Sequence, residues 1–141
     1  STPMQDWATW LQDDSRDRNA GPGVDVNINE IVDALKTSKN LNDLGQALRL
    51  RPNSPELLGS YAYHLLANAE LTEGRKAMGV YHIGQARKLG KDVPFVLYRS
   101  AQIEMLLDNQ KGALQFIDRA IELDSGNAEY SEFKKSLLQN N

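Results

Sequence analysis

The sequence contains no cysteine, which excludes disulfide bonds, thiolate catalysis and zinc sites built from cysteine. It contains two histidines, His64 and His82, and neither has a second histidine four residues away or an acidic pattern that would complete a metal site. It also lacks any run of about 18 apolar residues, so no segment is predicted to cross a membrane. We therefore expect neither a metal nor a cofactor.

Patterns that carry catalysis are missing as well. The glycines of 79–84 have the spacing of a phosphate-binding loop, but the Lys-Ser/Thr pair of such a loop is absent and the segment is predicted to be helical. No serine lies in a nucleophile-elbow pattern. His64 is predicted to be a partly exposed surface residue. The chain is therefore predicted not to be an enzyme and to have no small-molecule substrate.

The charge balance gives no sign of a nucleic-acid partner. The net charge is −3, so no overall positive field attracts DNA or RNA. The acidity is concentrated near the start, since residues 1–30 hold six acids and two bases. A basic cluster is predicted on the outer side of the domain, where it is either a solvated helix face or a contact for an acidic partner or anionic lipid. Its members are Arg75, Lys76, Arg87, Lys88 and Lys91.

Residues 1–27 are predicted to form an N-terminal helix followed by a loop. Trp7, Trp10 and Leu11 share one helical face, and Gly21-Pro22-Gly23 breaks regular structure. The two tryptophans are expected either to dock on the rest of the domain or to contact a partner. In the second case the segment is a tail or a binding element instead of part of the core.

The rest of the chain is predicted to be helical hairpins. Asn29 is expected to cap the first helix of a short hairpin over 28–54. The second helix of this hairpin is expected to end before Pro52. A second hairpin over 55–93 carries five extra residues, placed around Leu71–Met78. A third covers 94–127, and the remaining residues, 128–141, form one further helix with a polar outer face.

The third hairpin, PFVLYRSAQIEMLLDNQKGALQFIDRAIELDSGN, is 34 residues long and resembles one tetratricopeptide repeat. Ala101, Ala113 and Ala120 occupy the small positions of that repeat, and Ala47 and Ala86 occupy its twenty-seventh position in the earlier hairpins. Gly79 takes the twentieth position of the middle hairpin. Glu104 departs from the pattern, where an aromatic is usual, so it either faces solvent or has a buried partner. The resemblance implies an all-α, right-handed superhelix of stacked hairpins with a C-terminal capping helix.

The resemblance also implies a concave groove lined by the first helix of each hairpin. The positions that face this groove are Glu56, Gly59, Tyr63, Leu66 and Ala67 in the middle hairpin and Phe95, Tyr98, Gln102, Met105 and Leu106 in the third. Partner binding is predicted at Gly59, Tyr63, Leu66, Tyr98, Gln102 and Met105. Tyr63, Tyr98 and Met105 have an alternative, which is packing between hairpins. Arg99 alone is insufficient for the lysine and asparagine clamp with which some members hold a chaperone C-terminus.

The function implied by the resemblance is a protein-interaction scaffold that binds a partner segment in the groove. Small bacterial members often belong to cell-envelope assemblies, which slightly favours a periplasmic over a cytoplasmic location. A membrane would be reached only through an anchor or a partner. One alternative is a homo-oligomerisation domain. Another is a regulatory domain of a longer enzyme, an expectation suggested by the start at Ser1 instead of Met.

Overall fold

Helices make up all the regular structure in the part of the chain that the structure, a computed structural model, describes: residues 27–68 and 70–139. The all-α class is therefore confirmed for these residues. Seven helices lie in this part: α1 (Ile28–Leu35), α2 (Leu41–Leu50), α3 (Pro55–Leu66), α4 (Glu73–Leu89), α5 (Pro94–Leu106), α6 (Gln110–Leu123) and α7 (Ala128–Gln139). The predicted N-terminal helix, with Trp7, Trp10, Leu11 and the Gly21–Gly23 break, lies outside the described residues.

Most of the helix starts are set by side-chain caps. The side chain of Asn27 accepts hydrogen bonds from the backbone N–H groups of Asn29 and Glu30, at 3.0 and 3.3 Å. The prediction that Asn29 caps α1 was therefore wrong by two residues. The helix begins at Ile28, so the cap is the preceding residue, Asn27, whose side chain can accept from the first N–H groups of the helix. Proline occupies the first turn of α3 and α5, where its missing N–H costs no helical hydrogen bond.

The second helix of each hairpin ends in the same way. The cap residues Arg51, Gly90 and Asp124 each donate a backbone hydrogen bond to the alanine four residues earlier, at 2.9, 2.8 and 2.9 Å. Their dihedral angles are also nearly the same, with φ/ψ of −136/71, −133/56 and −145/70. The next helix then begins four residues on, at Pro55, Pro94 and Ala128. The three hairpin exits are therefore geometrically equivalent, as an internal repeat requires.

The five extra residues of the middle hairpin lie in two places. α4 is three residues longer than α6, and the connection 67–72 is three residues longer than the connection 107–109, whereas α3 is one residue shorter than α5. The insertion thus lengthens α4 and the turn that leads to it. It leaves α3 and α5 almost equal in length.

The core consists of three apolar clusters, one for each junction between neighbouring hairpins. The first joins α1, α2 and α3; the second joins α3, α4 and α5; the third joins α5, α6 and α7. The alanines predicted at small positions are all fully buried in these clusters: Ala47, Ala86, Ala101, Ala113 and Ala120. α7 supplies Tyr130 and Leu137 to the last cluster, while Glu132 and Lys135 on its other side are exposed.

Candidate functional site

A cavity of about 410 Å³ opens on the inner side of the domain, where α3 and α5 lie side by side. The turn between α1 and α2 closes one side, and the start of α7 closes the other. We call it the inner cavity. Its lining residues are Thr37, Lys39, Tyr63, His64, Ala67, Phe95, Tyr98, Arg99, Gln102 and Glu129. Because these come from four elements, the cavity exists only once the hairpins have stacked.

Arg99 of α5 lies at the base of the inner cavity and is only 7% exposed. Its Nε donates to Ser60 Oγ at 3.3 Å, its Nη1 donates to Gln102 Oε1 at 2.8 Å, and its Nη2 lies 3.5 Å from the Lys36 carbonyl. Ser60 itself donates to that same carbonyl, which lies at the C-terminal end of α1. The guanidinium thus links α1, α3 and α5, and each of its acceptors is a neutral group.

Aromatic rings surround the same guanidinium. Its central carbon lies 4.9 Å from the ring centre of Tyr63, 5.0 Å from that of Phe95 and 6.0 Å from that of Tyr98. These distances are those of cation–π contacts, which become stronger as water is excluded. The rings therefore hold the positive charge in place inside an apolar wall. Gln102 completes the wall, since its Nε2 donates to the Tyr98 hydroxyl at 3.2 Å.

Two further nitrogen-bearing side chains line the inner cavity. Lys39 is exposed and forms no ion pair within the described ranges. The Nε2 atom of His64 is buried and has no hydrogen-bond partner among the described atoms. Burial, together with the positive charges of Arg99 and Lys39, lowers the pKa of His64 to about 4. The cavity therefore carries a positive potential, and His64 is neutral near pH 7.

Of the predicted partner-binding residues, the structure brings three to the inner cavity: Tyr63, Tyr98 and Gln102. Tyr98 is 8% exposed and packs on Tyr130 and Phe133 of α7, with ring centres 5.0 and 5.6 Å apart. For Tyr98, the alternative of packing between helices is therefore the one that the geometry favours. Tyr63 is half-buried and keeps an accessible ring.

The other three predicted residues do not line the inner cavity. Gly59 is buried beneath Arg99, so that a Cβ atom there would lie 3.4 Å from the Arg99 Cβ. Leu66 is 5% exposed and packs on Gly79 of α4. Met105 is half-buried against the cluster of α5, α6 and α7. All three contribute packing, because helices α3 and α5 turn these positions toward neighbouring helices.

Of the remaining predicted groove positions, some line the inner cavity and others do not. Phe95 and Ala67 line the inner cavity. The Glu56 carboxylate accepts a hydrogen bond from Lys36 Nζ at 3.3 Å, so its negative charge is paired within the domain. Leu106 is 44% exposed at the end of α5 and is not part of the cavity lining.

The members of the outer basic cluster differ in their exposure to solvent. Arg87 is half-buried, donates to Ser100 Oγ at 3.0 Å, pairs with Glu104 at 3.3 Å and stacks on the Phe116 ring at 4.4 Å. The ion pair with Arg87 shows that Glu104 has a buried partner, which was one of the two alternatives predicted for it. Lys88 is exposed, as a solvated helix face requires. Arg87 is thus a structural residue and is not available to a partner.

Sequence reasoning missed Lys39, His64 and Glu129 as members of this site. Lys39 lies in a turn, Glu129 begins another helix, and neither position has a sequence signal that relates it to α5. His64 was expected at the surface, whereas its Nε2 is buried beside the cavity. Arg99 was considered only as a position of the clamp that some family members use, and the stacked helices alone reveal its burial.

No protein-family model, curated protein or solved structure matches this chain. Among the described residues, no helix is long and apolar enough to traverse a lipid bilayer. The same residues contain no group of three or more histidines and acids placed to hold a metal ion. The inner cavity is therefore interpreted from its own geometry.

Proposed function

We propose that this chain is a tetratricopeptide-like interaction module that binds a segment of a partner protein in the inner cavity. The observation that supports this most is the composition of the cavity wall. Tyr63 and Phe95 present aromatic surface around the buried guanidinium of Arg99. Aromatic and arginine side chains supply most of the energy at protein interfaces, because they combine a large contact area with few rotatable bonds.

The construction of the site also suits a binding module. The cavity lies between elements held together by three buried clusters, so its walls are formed before a partner arrives. A preformed surface lowers the entropy that binding must overcome. The repeated hairpin exits at Arg51, Gly90 and Asp124 support a stacked-repeat architecture, in which the inner helices form a continuous surface.

Selection of peptides from a displayed random library against the full chain tests this proposal. Selected peptides are expected to shift the backbone amide signals of α3 and α5 in NMR spectra more than those of α4 and α6. Tyr63→Ala is expected to weaken binding by about fivefold or more, the effect of losing an interface hot spot. Lys88→Ala, on the exposed outer side, is the matched control and should leave the affinity unchanged. Failure to select any peptide that maps to the inner cavity would contradict the proposal.

A second candidate function is self-association. It is favoured by exposed apolar side chains on α4, where Met78, Val80 and Tyr81 are 45, 47 and 64% exposed. Exposed apolar side chains in one region are typical of protein–protein contact. Sedimentation equilibrium measures the molecular mass of the chain as a function of concentration. A concentration-dependent dimer that Tyr81→Ser dissociates supports self-association. A monomer at all concentrations excludes it.

A further inference from the structure

The buried guanidinium of Arg99 has hydrogen-bonding capacity that the described part of the protein leaves unused. A guanidinium has five N–H donors. Three are directed at Ser60 Oγ, Gln102 Oε1 and the Lys36 carbonyl, one from each nitrogen. One N–H therefore remains on each of Nη1 and Nη2, and two such donors match the two oxygens of a carboxylate.

No carboxylate oxygen of residues 27–68 and 70–139 forms an ion pair with Arg99, so this part of the chain leaves its charge without an ionic partner. Buried charges in proteins are ordinarily paired, because removing an ion from water is costly. The neighbouring cation Lys36 differs in this respect, since Asp33 and Glu56 both bind it, at 2.8 and 3.3 Å. Within the described residues, Arg99 is thus a buried cation whose direct contacts are neutral acceptors and aromatic rings.

The charges that line the inner cavity favour a ligand with a single negative charge. Arg99 and Lys39 contribute two positive charges, and the exposed Glu129 at the rim contributes one negative charge. His64 is neutral near pH 7 and adds a buried nitrogen that has no hydrogen-bond partner in the described part of the chain. A carboxylate would balance the remaining single positive charge, whereas a doubly charged phosphate would leave the cavity with an excess of negative charge.

We propose that the inner cavity binds an aspartate or glutamate side chain from an acidic segment of a partner protein, with Arg99 as the residue that recognises the carboxylate. This proposal rests on the proposed function, because it names the chemistry of the segment that the module binds. In the bound state both free N–H groups of Arg99 donate to the carboxylate. Lys39 lies at the cavity wall and attracts the same charge. Tyr63 and Phe95 cover the ion pair and keep water from it.

The experiment uses the full chain and matched sets of synthetic peptides with acetylated and amidated ends, built on the selected sequences. Within a set, the peptides differ only at one central position, which is Glu, Gln or phosphoserine, and one additional Gln peptide keeps a free C-terminal carboxylate. The Glu peptide is expected to bind at least about tenfold more tightly than the Gln peptide, the effect of losing a charge-assisted hydrogen-bond pair. A preference for phosphoserine, or for a neutral peptide with a free C-terminus, overturns the proposal.

Variants that do not disturb the fold locate the carboxylate. Lys39 and Glu129 are both exposed. Lys39→Gln should weaken binding of the Glu peptide about twofold to fivefold and leave the Gln peptide unaffected, whereas Glu129→Gln should strengthen the Glu peptide. Lys88→Gln removes the same charge on the outer side and should change neither affinity. Equal effects of Lys39→Gln and Lys88→Gln would overturn the proposal.

Two further measurements separate recognition by Arg99 from its structural role. Arg99→Lys keeps the charge but loses the planar pair of donors, and it should reduce the preference for Glu over Gln while circular dichroism shows an unchanged helix content. The second readout is the pKa of His64, followed by NMR. It should rise when the Glu peptide binds and stay unchanged with the Gln peptide, because the carboxylate offsets the charges of Arg99 and Lys39.

The outcomes distinguish this inference from the proposed function. Peptides that map to the inner cavity but bind equally well with Glu or Gln overturn the carboxylate assignment and leave the interaction module intact. Absence of any cavity-binding peptide overturns both. An unchanged His64 pKa in a saturated Glu complex also overturns the assignment, because a carboxylate beside Arg99 and Lys39 must alter the potential at His64.

Discussion

Arg99 on α5 and Ser60 on α3 are 39 residues apart in sequence, yet Arg99 Nε donates to Ser60 Oγ at 3.3 Å in a buried environment. Ser60 in turn donates to the Lys36 carbonyl at the end of α1. One hydroxyl group therefore connects three helices from three different hairpins. The same contact orients the guanidinium toward the inner cavity. The site therefore forms when the hairpins stack.

Ser60→Ala tests the contribution of this hydroxyl to stability. The substitution leaves the Arg99 Nε without its acceptor and removes a donor to the Lys36 carbonyl, both in a buried place. The free energy of unfolding is expected to fall by about 1–3 kcal/mol, measured by urea denaturation. Ser136→Ala is the control, because that exposed hydroxyl donates only within its own helix. Equal stability of the two variants would contradict the bridging role of Ser60.

Replacing Gly79 and Gly84 by alanine separates close packing from helix propensity. Both glycines lie in α4, where alanine gains roughly 1 kcal/mol of helix propensity. A Cβ atom on Gly79 would lie 2.7 Å from Leu66 Cγ, whereas one on Gly84 meets nothing within 4 Å. Gly79→Ala should therefore lower the melting temperature and Gly84→Ala should raise it. Stabilisation by both substitutions would show that Leu66 can move away.

The fully buried alanines of the third hairpin are predicted to tolerate no larger side chain. Ala113→Leu and Ala120→Leu insert three carbon atoms into a cluster without free space and should each destabilise the protein by about 1–3 kcal/mol. Ala34→Leu on the exposed face of α1 is the control and should have little effect. Thermal unfolding of the three variants provides the comparison. Unchanged stability in both buried variants would refute the repeat assignment.

His64 is predicted to make the fold less stable in mild acid. Its folded-state pKa of about 4 lies below the ordinary value of 6.5, so the unfolded chain binds its proton first. Stability should be unaffected by His64 above pH 6.5 and should decrease as the pH falls from 6.5 toward 4. Arg99 and Lys39 are the charged groups that oppose its protonation. NMR titration should give a midpoint near pH 4, and His64→Gln should reduce the pH dependence of unfolding in that window. A midpoint near 6.5 would contradict this account.

Local sequence was sufficient for the helices of the described residues and for most of their boundaries, although the cap of α1 was placed two residues too late. Pro55 and Pro94 begin helices because proline has no N–H to lose in the first turn, and the cap residues satisfy the N–H groups that follow. The small residues Ala47, Ala86 and Ala120 were identified from the resemblance to the tetratricopeptide repeat, and each is fully buried. These features depend on neighbours within a few residues, so they are readable without knowing the tertiary structure.

Only the tertiary structure decided which of the predicted partner-binding residues line the inner cavity and which are buried between helices. Gly59, Leu66 and Met105 were predicted to face a partner, but their side of α3 and α5 packs against Arg99, α4 and the last cluster, respectively. Helical spacing places residues on a face, but the rotation of a helix against its neighbours is set by packing with distant segments.

The character of the site was also a tertiary property. Sequence by itself determined the all-α class of the described residues, the alanines at regular positions and the presence of an arginine on α5. The burial of Arg99 among three aromatic rings, its contact with Ser60, and the approach of Lys39 and His64 all depend on the stacking of α1, α3 and α5. The physical reason is that desolvation and electrostatic potential arise from every group in three-dimensional proximity, and those groups are far apart along the chain.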